Sequence, residues 1–395
     1  MNKSNLVLLV ICQLISATGS IVFVTLGGII GARLADNPAW ATLPVSMMVI
    51  SVALTTVPAT MLMRRIGRSR GFSMASLSAV AAVLVGAQAL AAESFALFVV
   101  ATMMFGINFA FTHQYRYAAA ESVPPKMTAR AVSFVLLGAI GGALIGPEIA
   151  TRGQYWVADV PYAGSMYALA VLYVVQSLLF LRLRGVDSAH EHSGTPSDRP
   201  LREIVGQRVF IVAVMGSTAG YGLMTLIMTA TPISMHINDG HSLEQTANVI
   251  RYHVLGMYVP SLVSGFLIER LGVVRMMFAG AFTLLLTSII GLQGQTVLHY
   301  WWALLLLGVG WNFVYVGGTT MLTYTYSMQE RFKAQAVNEF LVFGTSATAS
   351  LLAGTVMHYF GWLRLMLIPI PILIIVCLAL IFVRRDGLLR VAESE

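Results

Sequence analysis

Gly106-Ile107-Asn108-Phe109 and Gly310-Trp311-Asn312-Phe313 repeat one pattern, Gly-x-Asn-Phe, 204 residues apart. The basic turn Arg64-Arg65-Ile66-Gly67-Arg68 recurs as Glu269-Arg270-Leu271-Gly272. Thr128-Ala129-Arg130-Ala131-Val132 recurs as Lys333-Ala334-Gln335-Ala336-Val337, both at an offset of 205. One such match is chance, whereas three at offsets of 204 or 205 mark a duplicated unit.

The duplicated unit is built for lipid. Of 395 residues, 57% are hydrophobic and 10% charged, and the mean hydropathy is +0.79. A soluble domain carries about 45–50% apolar and about 25% charged residues, because its surface faces water. These numbers exclude a cytosolic enzyme, a nucleic-acid binder and a disulfide scaffold. A bilayer crossing needs about 20 apolar residues. Twelve such spans are predicted, at 5–32, 41–63, 71–92, 94–117, 131–152, 162–183, 208–236, 248–269, 276–297, 299–326, 336–359 and 362–383. All must be helical, since lipid offers backbone groups no partner. Lys3 and the apolar run after it resemble a signal peptide, but apolarity continues through Ile21–Ile30, so an uncleaved first helix is expected.

Charge sets the predicted orientation. With the N-terminus cytoplasmic, only Arg33, Arg152, Arg251 and Arg364 of the 24 Lys and Arg fall on the outer side. That positive-inside bias accounts for the net charge of +7 without an acidic partner. An all-α integral membrane protein follows, with both termini cytoplasmic. Residues 1–184 form one six-helix bundle, 185–207 a polar linker and 208–395 a second bundle. His190 and His192 in the linker read as polar filler rather than metal ligands.

The segment Gly265-Phe266-Leu267-Ile268-Glu269-Arg270-Leu271-Gly272 resembles the loop signature of the major facilitator superfamily, with Glu for the usual Asp. The first-half copy departs from it at Thr60 and Arg64. The resemblance implies two six-helix bundles that rock about a midplane site. It places a cytoplasmic gate at Arg65, Arg68, Glu269 and Arg270, although the same arginines also serve as topology anchors.

Among the 21 methionines, Met224 and Met228 lie four apart on the seventh span. His253 and Met257 lie four apart on the eighth. Side chains at i and i+4 share a helix face, so two antiparallel helices can present three thioethers and an imidazole at similar depth. Soft, uncharged ligands of this kind suit Cu(I), yet methionine is also a common gap filler, and the spacing alone leaves both readings open. M-x-x-x-M followed by H-x-x-x-M resembles the signature of the CcoA-like copper importers, a bacterial branch of the superfamily. That resemblance implies import of copper, as substrate and not cofactor, across the bacterial inner membrane. The recipients would be copper chaperones of cytochrome oxidase assembly. Close relatives in that branch resemble riboflavin importers, and the quartet decides between the two.

The alternative is a carrier of an organic solute, riboflavin-like or a drug, contacted by Asn108, Tyr115, Trp311, Asn312 and Tyr315. Met235, His236 and His241 are candidates for outer capture of the metal, or simple interfacial polar residues. Glu148 and Glu339 are candidates for coupling, because intramembrane carboxylates are rarely idle. Glu148 follows Gly142-x-x-x-Gly146-Pro147, whose small residues permit close helix packing, and Arg152 is available to pair with it. His113, Gln114 and Arg116 on the fourth span could bind an anion, and a snorkelling Arg116 is the simpler reading. Cys12 and Cys377 match no redox or metal spacing. No catalytic or nucleotide-binding motif is present, so a monomeric transporter without enzymatic activity or cofactor is expected.

Overall fold

Apolar runs in this chain coil into helices because only a helix pairs its own amides in hydrocarbon. The structure is a computed structural model that describes residues 3–115, 118–119, 128–183, 199–327 and 330–385. The linker histidines His190 and His192, and Arg116, lie outside the described residues. Helices run α1 Lys3–Leu34, α2 Leu43–Ile66, α3 Arg68–Ala91, α4 Phe95–Thr112, α5 Thr128–Arg152 and α6 Ala163–Phe180. They continue as α7 Arg208–Pro232, α8 Leu243–Tyr258, α9 Ser261–Leu271, α10 Val273–Gln293, α11 Val297–Thr323, α12 Arg331–Leu365 and α13 Pro369–Arg385. No strand occurs among the described residues.

Nine helices among the described residues are long and apolar enough to cross a membrane, against twelve predicted spans. The fifth predicted span is present as α5, with several side chains near its start outside the described residues. The eighth is broken into α8 and α9 around Pro260, which has no N–H to continue the helical ladder. The twelfth is shortened to Pro369–Val383 as an apolar helix. The predicted boundary between 359 and 362 is nonetheless real: Gly361, at φ 72, interrupts α12 there. Large apolar side chains stand bare on helix faces, Phe340 at 77% and Leu54 at 70% exposure, as lipid-facing residues do and as a soluble surface would avoid.

The chain divides into two compact units, Met1–His190 with Thr229–Val254, and Glu191–Met228 with Leu255–Glu395. The division departs from the predicted halves by placing Thr229–Val254 in the first unit. Leu243 joins that unit's apolar core with Ile29, Ile30 and Phe98, and Ile233 lies against Gly28.

In the first unit, α1 packs along α5, and glycines make the approach possible. A Cβ at Gly142 would stand 2.8 Å from the Thr18 nitrogen, and one at Gly146 2.9 Å from Ile21 Cβ. The small-residue stripe foreseen at Gly142 and Gly146 is therefore a helix-packing surface. Behind it, Gln176 Nε2 donates to the Cys12 carbonyl at 3.0 Å, Ser16 Oγ at 2.8 Å and the Tyr115 hydroxyl at 3.0 Å. In the second unit, Arg199 donates to Glu330 Oε2 at 2.9 Å and to the Thr325 carbonyl at 2.8 Å. Gln207 reaches the same carbonyl at 2.7 Å. These bonds tie the segment ahead of α7 to the turn between α11 and α12.

The duplication is visible in the backbone. Gly67 joins α2 to α3 at φ 86, ψ 156, and Gly272 joins α9 to α10 at φ 84, ψ 150. Each N–H closes the preceding helix, onto the Met63 and Ile268 carbonyls at 2.9 and 2.8 Å. This region of φ/ψ belongs to glycine, and another residue there costs about 1–3 kcal/mol. Gly272→Ala is therefore expected to lower the thermal unfolding midpoint of the detergent-purified protein. Gly265→Ala, in the same loop signature with open space around its Cβ position, should leave the midpoint unchanged.

Candidate functional site

In the second unit, α7, α11 and α12 bring four aromatic rings together. Trp311 and Tyr315, one turn apart on α11, stack with centroids 5.1 Å apart and planes within 13°. Tyr221 of α7 meets Trp311 edge-on at 5.5 Å, Tyr315 at 5.3 Å and Phe343 of α12 at 5.6 Å. Glycines flank Tyr221 and let its helix close in: a Cβ at Gly220 would lie 3.0 Å from Val314, and one at Gly222 2.9 Å from Thr345. One turn further along, the Thr225 and Ser346 hydroxyls bond at 2.7 Å across α7 and α12. Trp311 Nε1 is buried with no hydrogen-bond partner among the described residues. The cluster thus combines flat π-faces, an unspent indole donor and a hydroxyl pair, the chemistry of a site for a ring-bearing solute.

Of the predicted organic contacts, Trp311 and Tyr315 are in this cluster. Asn312, their neighbour on α11, turns instead to the broken eighth span, donating to the Met257 carbonyl at 2.9 Å and to Ser261 Oγ. Asn108 is buried on α4 with neither amide atom paired among the described residues. Tyr115 is a core residue, held by Gln176 and packed between Phe72 and Phe180. Tyr221, Phe343, Thr225 and Ser346 were not foreseen. The glycines flanking Tyr221 were the available signal, since they mark a close helix approach.

Met224 and Met257 are buried, and Met228 is half-buried. The three methionines belong to the second unit and the buried His253 to the first, so neither unit by itself holds the quartet. Among the described residues no group of three or more His, Cys, Asp or Glu could hold a metal ion. Met235 is buried, and His236 Nδ1 hydrogen-bonds the His241 carbonyl at 2.8 Å, closing its own turn. Glu148 lies between two arginines, with Oε1 2.7 Å from Arg251 and Oε2 3.0 Å from Arg152. Sequence reasoning had matched Arg152 to it but not Arg251. Glu339 is half-buried near the start of α12.

At the predicted gate, Arg65 is exposed and Arg68 donates to the Gln114 carbonyl at 3.4 Å. Arg270 lies over the Phe266 ring at 5.5 Å. The side chain of Glu269 is outside the described residues. Cys12 is buried and Cys377 partly so, and neither is in a disulfide.

The sequence model of the Major Facilitator Superfamily matches residues 9–247. The chain is 36% identical to the riboflavin transporter RfnT of Brucella anthropi, over 96% of this chain and 95% of that one. It is 29% identical to YdeG of Bacillus subtilis, an uncharacterised MFS-type transporter, over 93% and 88%. Among solved structures, the nucleoside transporter NupG superposes with a TM-score of 0.73 at 12% identity, covering 96% of this chain and 98% of NupG.

Two substitutions separate buried from exposed polar contacts. Glu148 is 46% exposed, and a pair of that kind contributes about 1 kcal/mol or less. Gln176 is fully buried, and removing it strands the groups it serves at about 1–3 kcal/mol. Gln176→Leu is expected to lower the unfolding midpoint in detergent clearly more than Glu148→Gln.

Proposed function

The chain belongs to the major facilitator superfamily, and from that premise we propose that it is a secondary carrier of an organic solute of the riboflavin kind, a flat heteroaromatic ring bearing polar groups. The observation that carries this reading is the 36% identity, over nearly the full length of both chains, to a protein named as a riboflavin transporter. The aromatic cluster supports it in kind. Trp311 and Tyr315 present parallel ring faces, and stacking of a heteroaromatic ring on such a face is worth about 1–3 kcal/mol. Trp311 Nε1 supplies a donor for a ring carbonyl, and Thr225 and Ser346 supply hydroxyls for polar substituents.

In this reading the protein works by alternating access in the bacterial inner membrane, as a monomer and without a bound cofactor. Glu148 and Glu339 are the acids available for coupling to an ion gradient. Copper import loses ground. It rested on Met224, Met228, His253 and Met257, and the relative whose solute is named carries riboflavin rather than copper.

Uptake of tritiated riboflavin by a riboflavin-auxotrophic bacterium expressing the chain tests the proposal. Uptake above the empty-vector control is expected, falling about tenfold in Trp311→Ala at equal membrane abundance, as loss of one stacking contact implies. Copper-64 uptake should be indifferent to His253→Ala and Met257→Ala. No riboflavin uptake, together with copper uptake abolished in both of those variants, would overturn the reading and restore the metal.

A further inference from the structure

The eighth predicted span departs from its counterpart in the first half, and the departure has a residue attached to it. In α2, Thr56 Oγ donates to the Val52 carbonyl at 2.8 Å within a helix that runs unbroken to Ile66. An offset of 205 carries Val52 to Met257 and Thr56 to Ser261, where the matching bond is stretched to 3.4 Å. Between them the helix stops at Tyr258 and restarts at Ser261. The cause is local. Pro260 has no N–H for the Gly256 carbonyl, whereas the corresponding position in α2 is Thr55, and the proline of that helix, Pro58, falls three residues later without ending it. Among the described residues no backbone amide serves the Met257 carbonyl either.

A bare carbonyl in an apolar bundle is costly, and here it is covered by the buried amide of Asn312, which also bonds Ser261 Oγ. Close approach at the preceding turn fixes the register: a Cβ on Gly256 would collide with the Leu305 carbonyl of α11. Asn108, the repeat counterpart of Asn312, has neither amide atom paired among the described residues.

We propose that Asn312 is a positioning residue that holds the interrupted eighth span in register, setting α9 against α11 during transport without touching the solute. The break and its clasp form a preset bend in the second half, whereas in the first half α2 carries Pro58 inside a continuous helix. Removing Asn312 leaves the bend unsupported, and healing the break makes Asn312 dispensable.

Hydrogen–deuterium exchange of the full-length protein in detergent micelles reads this directly. Asn312→Leu should speed exchange of the amides at 259–264 by at least tenfold. In the Pro260→Ala background the same change should speed it less than twofold, while Asn108→Leu leaves exchange at 52–58 as it was. Equal acceleration in both backgrounds, or none in either, overturns the proposal. Tritiated riboflavin uptake adds the functional arm: Asn312→Leu is expected to lower the maximal rate at least fivefold with KM within twofold. A raised KM at unchanged maximal rate would instead make Asn312 a solute contact. Absence of uptake by the parent protein bears on the solute assignment alone and leaves the exchange experiment decisive.

Discussion

In hydrocarbon a peptide group has no water to turn to, so every interruption of a spanning helix must be closed from within the chain. That requirement organises the features described above. Gly67 and Gly272 end one helix and start the next through a conformation that still lets their own N–H groups close the previous turn. Gly361 divides α12 at another left-handed position. At Pro260 the backbone cannot close the gap, and a side chain from α11 does so. The first three cases use glycine geometry and the fourth uses an amide, which is why only the fourth depends on a second helix.

Side-chain polarity inside the two units follows the same economy. Gln176 spends its NH2 group on two acceptors from α1 and on the Tyr115 hydroxyl just beyond α4, and the Ser73 and Ser177 hydroxyls bond each other at 2.8 Å between α3 and α6. Such bonds hold helices that have no hydrophobic preference for one another over lipid. The atoms left over are therefore informative. Trp311 Nε1 in the second unit is buried beside a stacked ring pair without a partner among the described residues, the position where the proposed solute would find a donor.

Much of the fold was legible. The offset shared by Gly67 and Gly272 foretold two joints that share their φ and ψ to within a few degrees, because a sharp turn between helices admits few residue types. Gly142 and Gly146 foretold a close helix contact, for the equally local reason that a missing Cβ allows it. What escaped was non-local. Methionines and a histidine four apart describe a helix face but not what that face meets, and Met224 and His253 fall in different compact units. The partners of Trp311 and Tyr315 come from α7 and α12, roughly 90 and 30 residues away along the chain, at distances where helical periodicity carries no information. Hydropathy likewise marked 248–269 as one apolar run but could not tell a continuous helix from two short ones, neither of which is among the helices long and apolar enough to cross a membrane.

The bond between Arg199 and Glu330 has a consequence for cutting the chain in two. Glu330 is nearly buried, and Arg199 also caps the Thr325 carbonyl beside Gln207. The last stretch before α7 is thus architecture of the second half rather than spare tether. A gene split placed ahead of residue 199 keeps this clasp within the second fragment, while Leu243 and Arg251 must still meet the first fragment across the cut. One placed after Gln207 sends the clasp away with the wrong fragment and leaves the Glu330 carboxylate in the other without its arginine. Complementation between separately expressed halves accordingly has a natural seam, some ten residues earlier than the start of the seventh helix would suggest.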